Sequence, residues 1–290
     1  MASQVVLITG CAQGIGKEIT LTLARDPQRR FKVYATMRNL VKRQNELKTE
    51  AGSNLDDTLF IRELDVTKQD TIDKTVKEII DNEGKIDVLV NNAAVTSGEW
   101  WETGPMQTFY DIMEVNYFGS VRMTKTVVPY MKEKRCGRIL QFSSILGFHA
   151  IPVATQYTAS KFALEGFSES IAPPLRKFNI WVSVIEPGYV KTKLVEQFGD
   201  NPTALWTIVA SEIPGEEDRK IVTDMVSFDP NIVIGVEMQE IQEVAKLIQD
   251  VILSPKPDCR YQTSATIKRL AKQRFIDPTG NAIMNNWLKA

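Results

Sequence analysis

Short β-branched or apolar runs recur along this chain: "VVLIT" from Val5, "FKVYAT" from Phe31, "TLFIREL" from Thr58, "DVLVNNA" from Asp87, "GRILQFSS" from Gly137 and "WVSVIEP" from Trp181. Segments of helical periodicity separate them. This alternation constrains the fold more than any other feature, because parallel strands need long, usually helical, crossovers. Several runs are apolar without a period of two, as strands covered on both faces are. The expected class is α/β, a doubly wound parallel sheet in three layers, α/β/α, with residues 1–290 forming one domain. A helix from Met238 to Ile252 and the short run "CRYQT" from Cys259 complete the sheet.

The rhythm breaks after Ile185. From Lys191 to Gly235, Gly, Pro and acidic residues mix with Leu194, Phe198, Leu205, Trp206, Ile208 and Val209. This stretch, about 191–235, is expected to form a helical substrate lid over the carboxyl ends of the strands, where open α/β sheets bind ligands. A second irregularity is Pro173–Pro174 in a helix that starts near Ala154. Proline inside a helix costs about 3 kcal/mol, so a break or kink is expected near Ala172.

Composition excludes several functions. The net charge of −1 offers no basic excess for a phosphate backbone, so nucleic acid is not an expected partner. The three cysteines, Cys11, Cys136 and Cys259, form no CxxC, and His149 is the single histidine. Neither a disulfide framework nor a metal centre is suggested, and acid–base chemistry must use another side chain. No apolar run approaches the roughly 18 residues of a membrane span, and no cleaved signal is apparent, so a cytoplasmic location is expected.

The turn "TGCAQGIGKE" has glycines at Gly10, Gly14 and Gly16. A Walker loop needs Gly five positions before Gly16 and Ser or Thr after Lys17; Cys11 and Glu18 stand there instead. A strand ending at Thr9 and a helix starting near Gly14 would aim free N–H groups and the positive end of the helix dipole at an anion. In dinucleotide sites the residue reading the adenine ribose lies about 20 positions further on, acidic for NAD and basic for NADP. "YATMRN" places Arg38 there with no acid, and a guanidinium can grip a 2′-phosphate with two hydrogen bonds. NADP(H) is the expected cofactor.

"YTASK" sets Tyr157 and Lys161 four residues apart on one helical face. A phenol has a reference pKa near 10 and works at neutral pH only when its surroundings stabilise the phenolate, which a nearby ammonium does. Ser144, ending a strand in "FSSILG", could polarise a carbonyl oxygen.

With these residues assembled, the chain resembles the short-chain dehydrogenase/reductase family. The resemblance rests on TGxxxGxG at Thr9–Gly16, "LDV" with Asp65, "NNAA" from Asn91 to Ala94, "VNYFG" around Asn116, Ser144, YxxxK at Tyr157 and Lys161, and "EPGYVKT" from Glu186 to Thr192. "VVLITGC", "YATMR" and "ASKFALEGFSES" are similar to the branch acting on retinoids and 17β-hydroxysteroids. The resemblance implies a Rossmann fold and an NADP(H)-dependent alcohol dehydrogenase or ketoreductase. Its substrate would be a lipophilic molecule, retinol/retinal or a 17β-hydroxy/17-ketosteroid.

It further implies that Tyr157 is the acid/base, that Lys161 lowers its pKa and binds the nicotinamide ribose, that Ser144 orients the carbonyl, and that Asn116 holds a water. Cofactor contacts would come from Thr9, Gly10, Cys11, Gln13, Gly14, Ile15, Gly16, Arg38, Asp65, Val66, Asn92, Ala93 and Ala94. Pro187, Gly188, Val190 and Thr192 would lie on the nicotinamide side. A homodimer or homotetramer is implied through the helices containing Asn116 and Tyr157.

Two positions depart from the family pattern. Ala94 replaces a glycine, and its methyl could crowd the cofactor or restrict the backbone. Gln13 stands where NADP-preferring relatives often carry a basic or hydroxyl residue, leaving the phosphate grip to Arg38 almost alone. Several alternatives stay open. His149 either touches substrate or is structural, Trp100 and Trp101 wall a pocket or pack a loop, and "TIKRLAKQRFI" either rests on an anionic membrane or is a solvated face. The alternative function is a non-catalytic NADP(H)-binding sensor or scaffold.

Overall fold

The computed structural model describes residues 3–97, 99–192, 210–211, 213–227 and 238–276. Seven parallel strands form one sheet in the order β3-β2-β1-β4-β5-β6-β7. They are β1 (Gln4–Ile8), β2 (Phe31–Met37), β3 (Leu59–Glu63), β4 (Val88–Asn91), β5 (Gly137–Phe142), β6 (Ile180–Glu186) and β7 (Arg260–Gln262). Each falls on a run named from the sequence.

Alternation within β1 explains the three layers, since successive side chains leave opposite faces of a strand. Val6 and Ile8 enter a core with Ile19 and Leu23 of α1 (Gly14–Ala24), Leu47 of α2 (Leu40–Ala51), and Val244, Ile248 and Ile252 of α8 (Ile241–Leu253). Val5 and Leu7 enter the opposite core, with Ile72, Val76 and Ile79 of α3 (Gln69–Glu83) and Met123, Val127 and Met131 of α5 (Ser120–Lys134). Leu175 of α6 (Thr155–Arg176) completes that face. With both faces covered, an apolar side chain at each strand position stabilises the sheet by roughly 1.5–3 kcal/mol when fully buried.

The chain order reverses between β1 and β4, so the crevice beyond their carboxyl ends is the switch point of the fold. Between β4 and α5 lie α4 (Met106–Met113) and a π-helical turn, Glu114–Gly119. Such turns are rare and often mark functional positions.

The expected break near Ala172 does not occur: α6 continues through Pro173 and Pro174 to Arg176. The two prolines fall in its last turns on the solvent side, and Leu175 between them and the C-terminus is buried. The carbonyls deprived of an N–H partner belong to the exposed Glu169 and Ser170, where water can serve instead. Much of the expected lid lies outside the described residues. What is described of it is Lys191, Thr192, Ala210, Ser211 and residues 213–227, ending in α7 (Glu216–Ser227).

Candidate active site

The glycine turn is clamped from behind by β4. Thr9 Oγ1 accepts from the backbone N–H groups of Asn92 and Ala93, each at 3.1 Å, and Asn92 Nδ2 donates to Thr9 O at 2.9 Å and Gly10 O at 3.1 Å. Asn92 is therefore a strut beneath the turn. The packing leaves no room at Gly16, where a Cβ would meet the Asn92 amide and come within 2.5 Å of Gly10 O. Gly14 differs: its φ of +61° demands glycine, but a Cβ there would face open space with only Thr192 at 3.7 Å.

That open space is a cavity of about 340 Å³ between the start of α1 and the ends of β2 and β4. Gly10, Gln13, Gly14, Ile15, Gly16, Arg38, Asp65, Val66, Asn92, Ala93, Ala94 and Thr192 all line it. The α1 N-terminus carries no side-chain cap, so its N–H groups are available to an anion. Ala94 keeps an ordinary backbone conformation, so its methyl brings no left-handed strain. Lys17 points elsewhere, paired with Glu46 at 2.9 Å and Glu50 at 2.7 Å. Thr9 and Cys11 are buried behind the turn, and burial pushes the Cys11 thiol up to about 12, leaving it an inert apolar filler.

Arg43, which the spacing argument from the glycines passes over, also lines the cavity. It stands in the first turns of α2, and neither Arg38 nor Arg43 is paired with a carboxylate of the described residues. Its only local sequence signal was the basic pair Lys42–Arg43 shortly after "YATMR".

The chemistry-bearing residues sit one strand further along the sheet. Ser144 follows β5 with extended backbone, and its Oγ accepts from Leu146 N at 3.2 Å. The Ser144 side chain lies beside the Tyr157 phenol; burial pushes the phenol's pKa up to about 12, with Ser144 opposing the rise. Lys161 is buried one helical turn on. Its Nζ lies 5.3 Å from the Tyr157 ring centroid and donates to Phe142 O at 2.7 Å. Burial pulls this ammonium down to about 7, partly offset by Glu165.

Asn116, in the π-helical turn, joins the two halves. Its Nδ2 donates to Val95 O at 2.9 Å and Ser160 Oγ at 3.0 Å, while its Oδ1 accepts from Val95 N at 2.8 Å. Val95 lines the cavity and Ser160 belongs to α6, so this one amide ties the cavity edge to the Tyr157 helix. Of the "EPGYVKT" loop, Pro187 O accepts from Ile145 N at 2.8 Å, Val190 is buried and bridged to Gln239, and Thr192 reaches the cavity. Gly188 is half-buried between them and does not line it.

Beside Tyr157 lies a third apolar cluster. Ile145, Leu146, Phe148, Ile151 and Val153 meet Ala210, Ile213 and Val222 from the described part of the expected lid. Ile267, Leu270 and Ala271 of α9 (Ala265–Ile276) close it, with Trp100, Tyr157, Tyr189 and Met225 at its margin. Trp100 thus packs on this cluster, whereas Trp101 is 49% exposed. His149 is buried, and desolvation with Arg274 nearby pushes it down to about 4, so it is neutral at physiological pH. Phe275 and Ile276 at the end of α9 are exposed, and no helix of the described residues is long and apolar enough to cross a membrane.

Comparison with known proteins agrees with this geometry. The sequence model described as short chain dehydrogenase matches residues 4–203. The chain is 36% identical to retinol dehydrogenase 8 of Bos taurus, covering 97% of this chain and 88% of the relative. It is 34% identical to 17-beta-hydroxysteroid dehydrogenase type 1 of Homo sapiens, covering 97% and 84%. Among solved structures, a short-chain dehydrogenase from Streptomyces avermitilis superposes with a TM-score of 0.74 at 24% identity, over 100% of this chain and 97% of that one. ElxO with NADP bound gives 0.71 at 22% identity, over 92% and 99%.

Proposed function

Because this chain belongs to the short chain dehydrogenase family of oxidoreductases, we propose that it interconverts a carbonyl and a hydroxyl on a lipophilic substrate, a retinoid or a 17-oxygenated steroid, using NADP(H). The observation that carries this reading is the Tyr157 phenol, set beside Ser144 and packed against an apolar cluster. A catalytic hydroxyl pair at the margin of an apolar wall suits a small polar reacting group on a largely hydrocarbon molecule.

The described residues fit the cofactor. The uncapped α1 N-terminus and the open face of Gly14 would receive the diphosphate, and Asp65 and Val66, which line the same cavity, would border the adenine. Arg38 and Arg43, both without carboxylate partners among the described residues, would hold a 2′-phosphate. When bound, the cofactor supplies or accepts the hydride at the substrate carbon. This chain's part is the proton. In reduction the Tyr157 phenol gives its proton to the oxygen of the former carbonyl, Ser144 holds that oxygen, and solvent restores the phenol. A phenol pushed up to about 12 is fully protonated at neutral pH, so the resting site is set for reduction. Lys161 would bind the nicotinamide ribose and, when charged, favour the phenolate left behind.

The test is a substrate screen. Purified protein with NADPH and all-trans-retinal, or with a 17-ketosteroid, is expected to consume the nicotinamide absorbance. Cofactor binding without turnover across a broad carbonyl panel would support the sensor or scaffold reading instead. A homodimer or homotetramer is also proposed. Phe118 and Phe162, on the Asn116 turn and the Tyr157 helix, are 45% and 38% exposed and offer an apolar face for a second copy. Light scattering should give a dimer or tetramer mass, and a monomer at micromolar concentration removes this part.

A further inference from the structure

Beyond Lys161 the face of α6 that carries the catalytic pair continues with Glu165 and Glu169, each four residues on. Glu165 is 4% exposed, an unusual place for a carboxylate unless it is paired. Ser143 Oγ donates to its Oε1 at 2.7 Å and Arg260 Nη1 donates to its Oε2 at 2.7 Å. Arg260, from β7, also pairs with Glu169 at 2.7 Å and with the fully buried Glu186 of β6, which Gln262 further satisfies. The turn after β5 is shaped to this carboxylate, because a Cβ on Gly147 would collide with both Glu165 Oε1 and Ser143 Oγ. Ser143 and Gly147 flank Ser144 within that turn.

Lys161 needs such a neighbour. A buried ammonium is costly without a counter-charge, and among the described residues its one hydrogen bond goes to the neutral carbonyl of Phe142. The elements around it bring few charges. On α6 there are Glu165 and Glu169, besides the Tyr157 phenol; β7 brings Arg260 and β6 brings Glu186, and the turn after β5 brings the hydroxyls of Ser143 and Ser144. In the π-helical turn, Glu114 is paired with Arg122 at 2.6 Å. Glu165, buried one helical turn beyond Lys161 on the same face, bears a charge whose field favours the ammonium form. Arg260, shared among three carboxylates, leaves Glu165 able to do so while holding it in place.

We propose that Glu165 is a positioning residue: held between Ser143 and Arg260, its carboxylate favours the charged form of the buried Lys161 and fixes the turn that carries Ser144. The consequence for catalysis rests on the reading of Tyr157 as acid and base, since a charged Lys161 favours phenolate.

The test reads Lys161 directly. Nuclear magnetic resonance of protein labelled with carbon-13 at the lysine ε position, with and without NADP+, follows each ammonium through pH, and Lys161→Met assigns the signal. In the wild type the Lys161 midpoint is expected near 7. Glu165→Gln should lower it by about one pH unit, roughly tenfold less charged form on the alkaline side. Glu165→Asp, which keeps the charge, and Glu169→Gln, which removes an outer carboxylate, should leave it in place. Loss of a neighbouring cation disfavours phenolate, so the rising limb of all-trans-retinol oxidation with NADP+ should move to higher pH in Glu165→Gln. A Lys161 midpoint in Glu165→Gln equal to or above the wild type overturns the proposal. If Glu165→Gln fails to fold, as judged by loss of NADP+ binding, Glu165→Met removes the charge with an unbranched side chain of similar length while Arg260 keeps Glu169 and Glu186, and the same downward shift is required of it. The two readings fail separately. An active Tyr157→Phe removes the catalytic reading, whereas an inactive Tyr157→Phe with an unmoved Lys161 midpoint removes only the role of Glu165.

Discussion

Replacing Tyr157 with Phe is expected to lower kcat by about 100- to 10,000-fold, the usual contribution of a positioned general acid. The substitution is well suited to the site. Phe preserves the ring that packs on the apolar cluster and lies 5.3 Å from Lys161 Nζ, and removes only the hydroxyl beside Ser144. Ser144 Oγ keeps its bond from Leu146 N, so the turn after β5 has no reason to move. The loss should therefore appear in kcat, with KM, cofactor affinity and the thermal midpoint close to wild type. Restoring a hydroxyl elsewhere should not help, because the proton must come from the position of the Tyr157 hydroxyl. A kcat reduced less than tenfold would mean that another group supplies the proton. The single histidine is poorly suited to that, being buried and pushed down to about 4, so that almost none of it carries a donatable imidazolium proton at neutral pH.

Much of this site was legible because its features are local. Strand runs are written in consecutive residues, and Gly10–Gly16 or Tyr157–Lys161 are patterns within one or two turns. The prolines misled for a related reason: the rule that proline breaks a helix holds in its interior, and nothing local showed that α6 was about to end at Arg176. The partners of Glu165 illustrate what local pattern cannot show. Its i,i+4 relation to Lys161 was visible, but Arg260 lies 95 residues away and meets it only because β7 adds to the sheet beside β6. Arg43 was missed on a smaller scale. Its distance from the glycines matches no fingerprint, and only the start of α2 at Leu40, after a left-handed Asn39, turns it toward the same cavity as Arg38.

That second arginine changes what is expected of cofactor choice. With Arg38 as the sole cation, Gln13 would leave the extra phosphate weakly held; with Arg43 on the same cavity, two guanidinium groups can share it. A hydrogen bond to a charged group contributes about 1.5–3 kcal/mol, so Arg43→Gln should reduce the preference for NADPH over NADH in kcat/KM by roughly tenfold or more. Arg38→Asp should do more, because it removes one cation, places a carboxylate that repels the phosphate, and supplies an acceptor for the 2′-hydroxyl of NADH. The combined effect is expected to be on the order of 100- to 1,000-fold, enough to reverse the preference. Both effects should shrink as ionic strength rises, since the two arginines are exposed and a free phosphate site is screened. Neither variant should change the pH at which Tyr157 acts, because no charge near Ser144 or Lys161 is altered. Selectivity unchanged within twofold in Arg38→Asp, measured as the ratio of kcat/KM for the two cofactors, would show that the 2′-phosphate is held elsewhere.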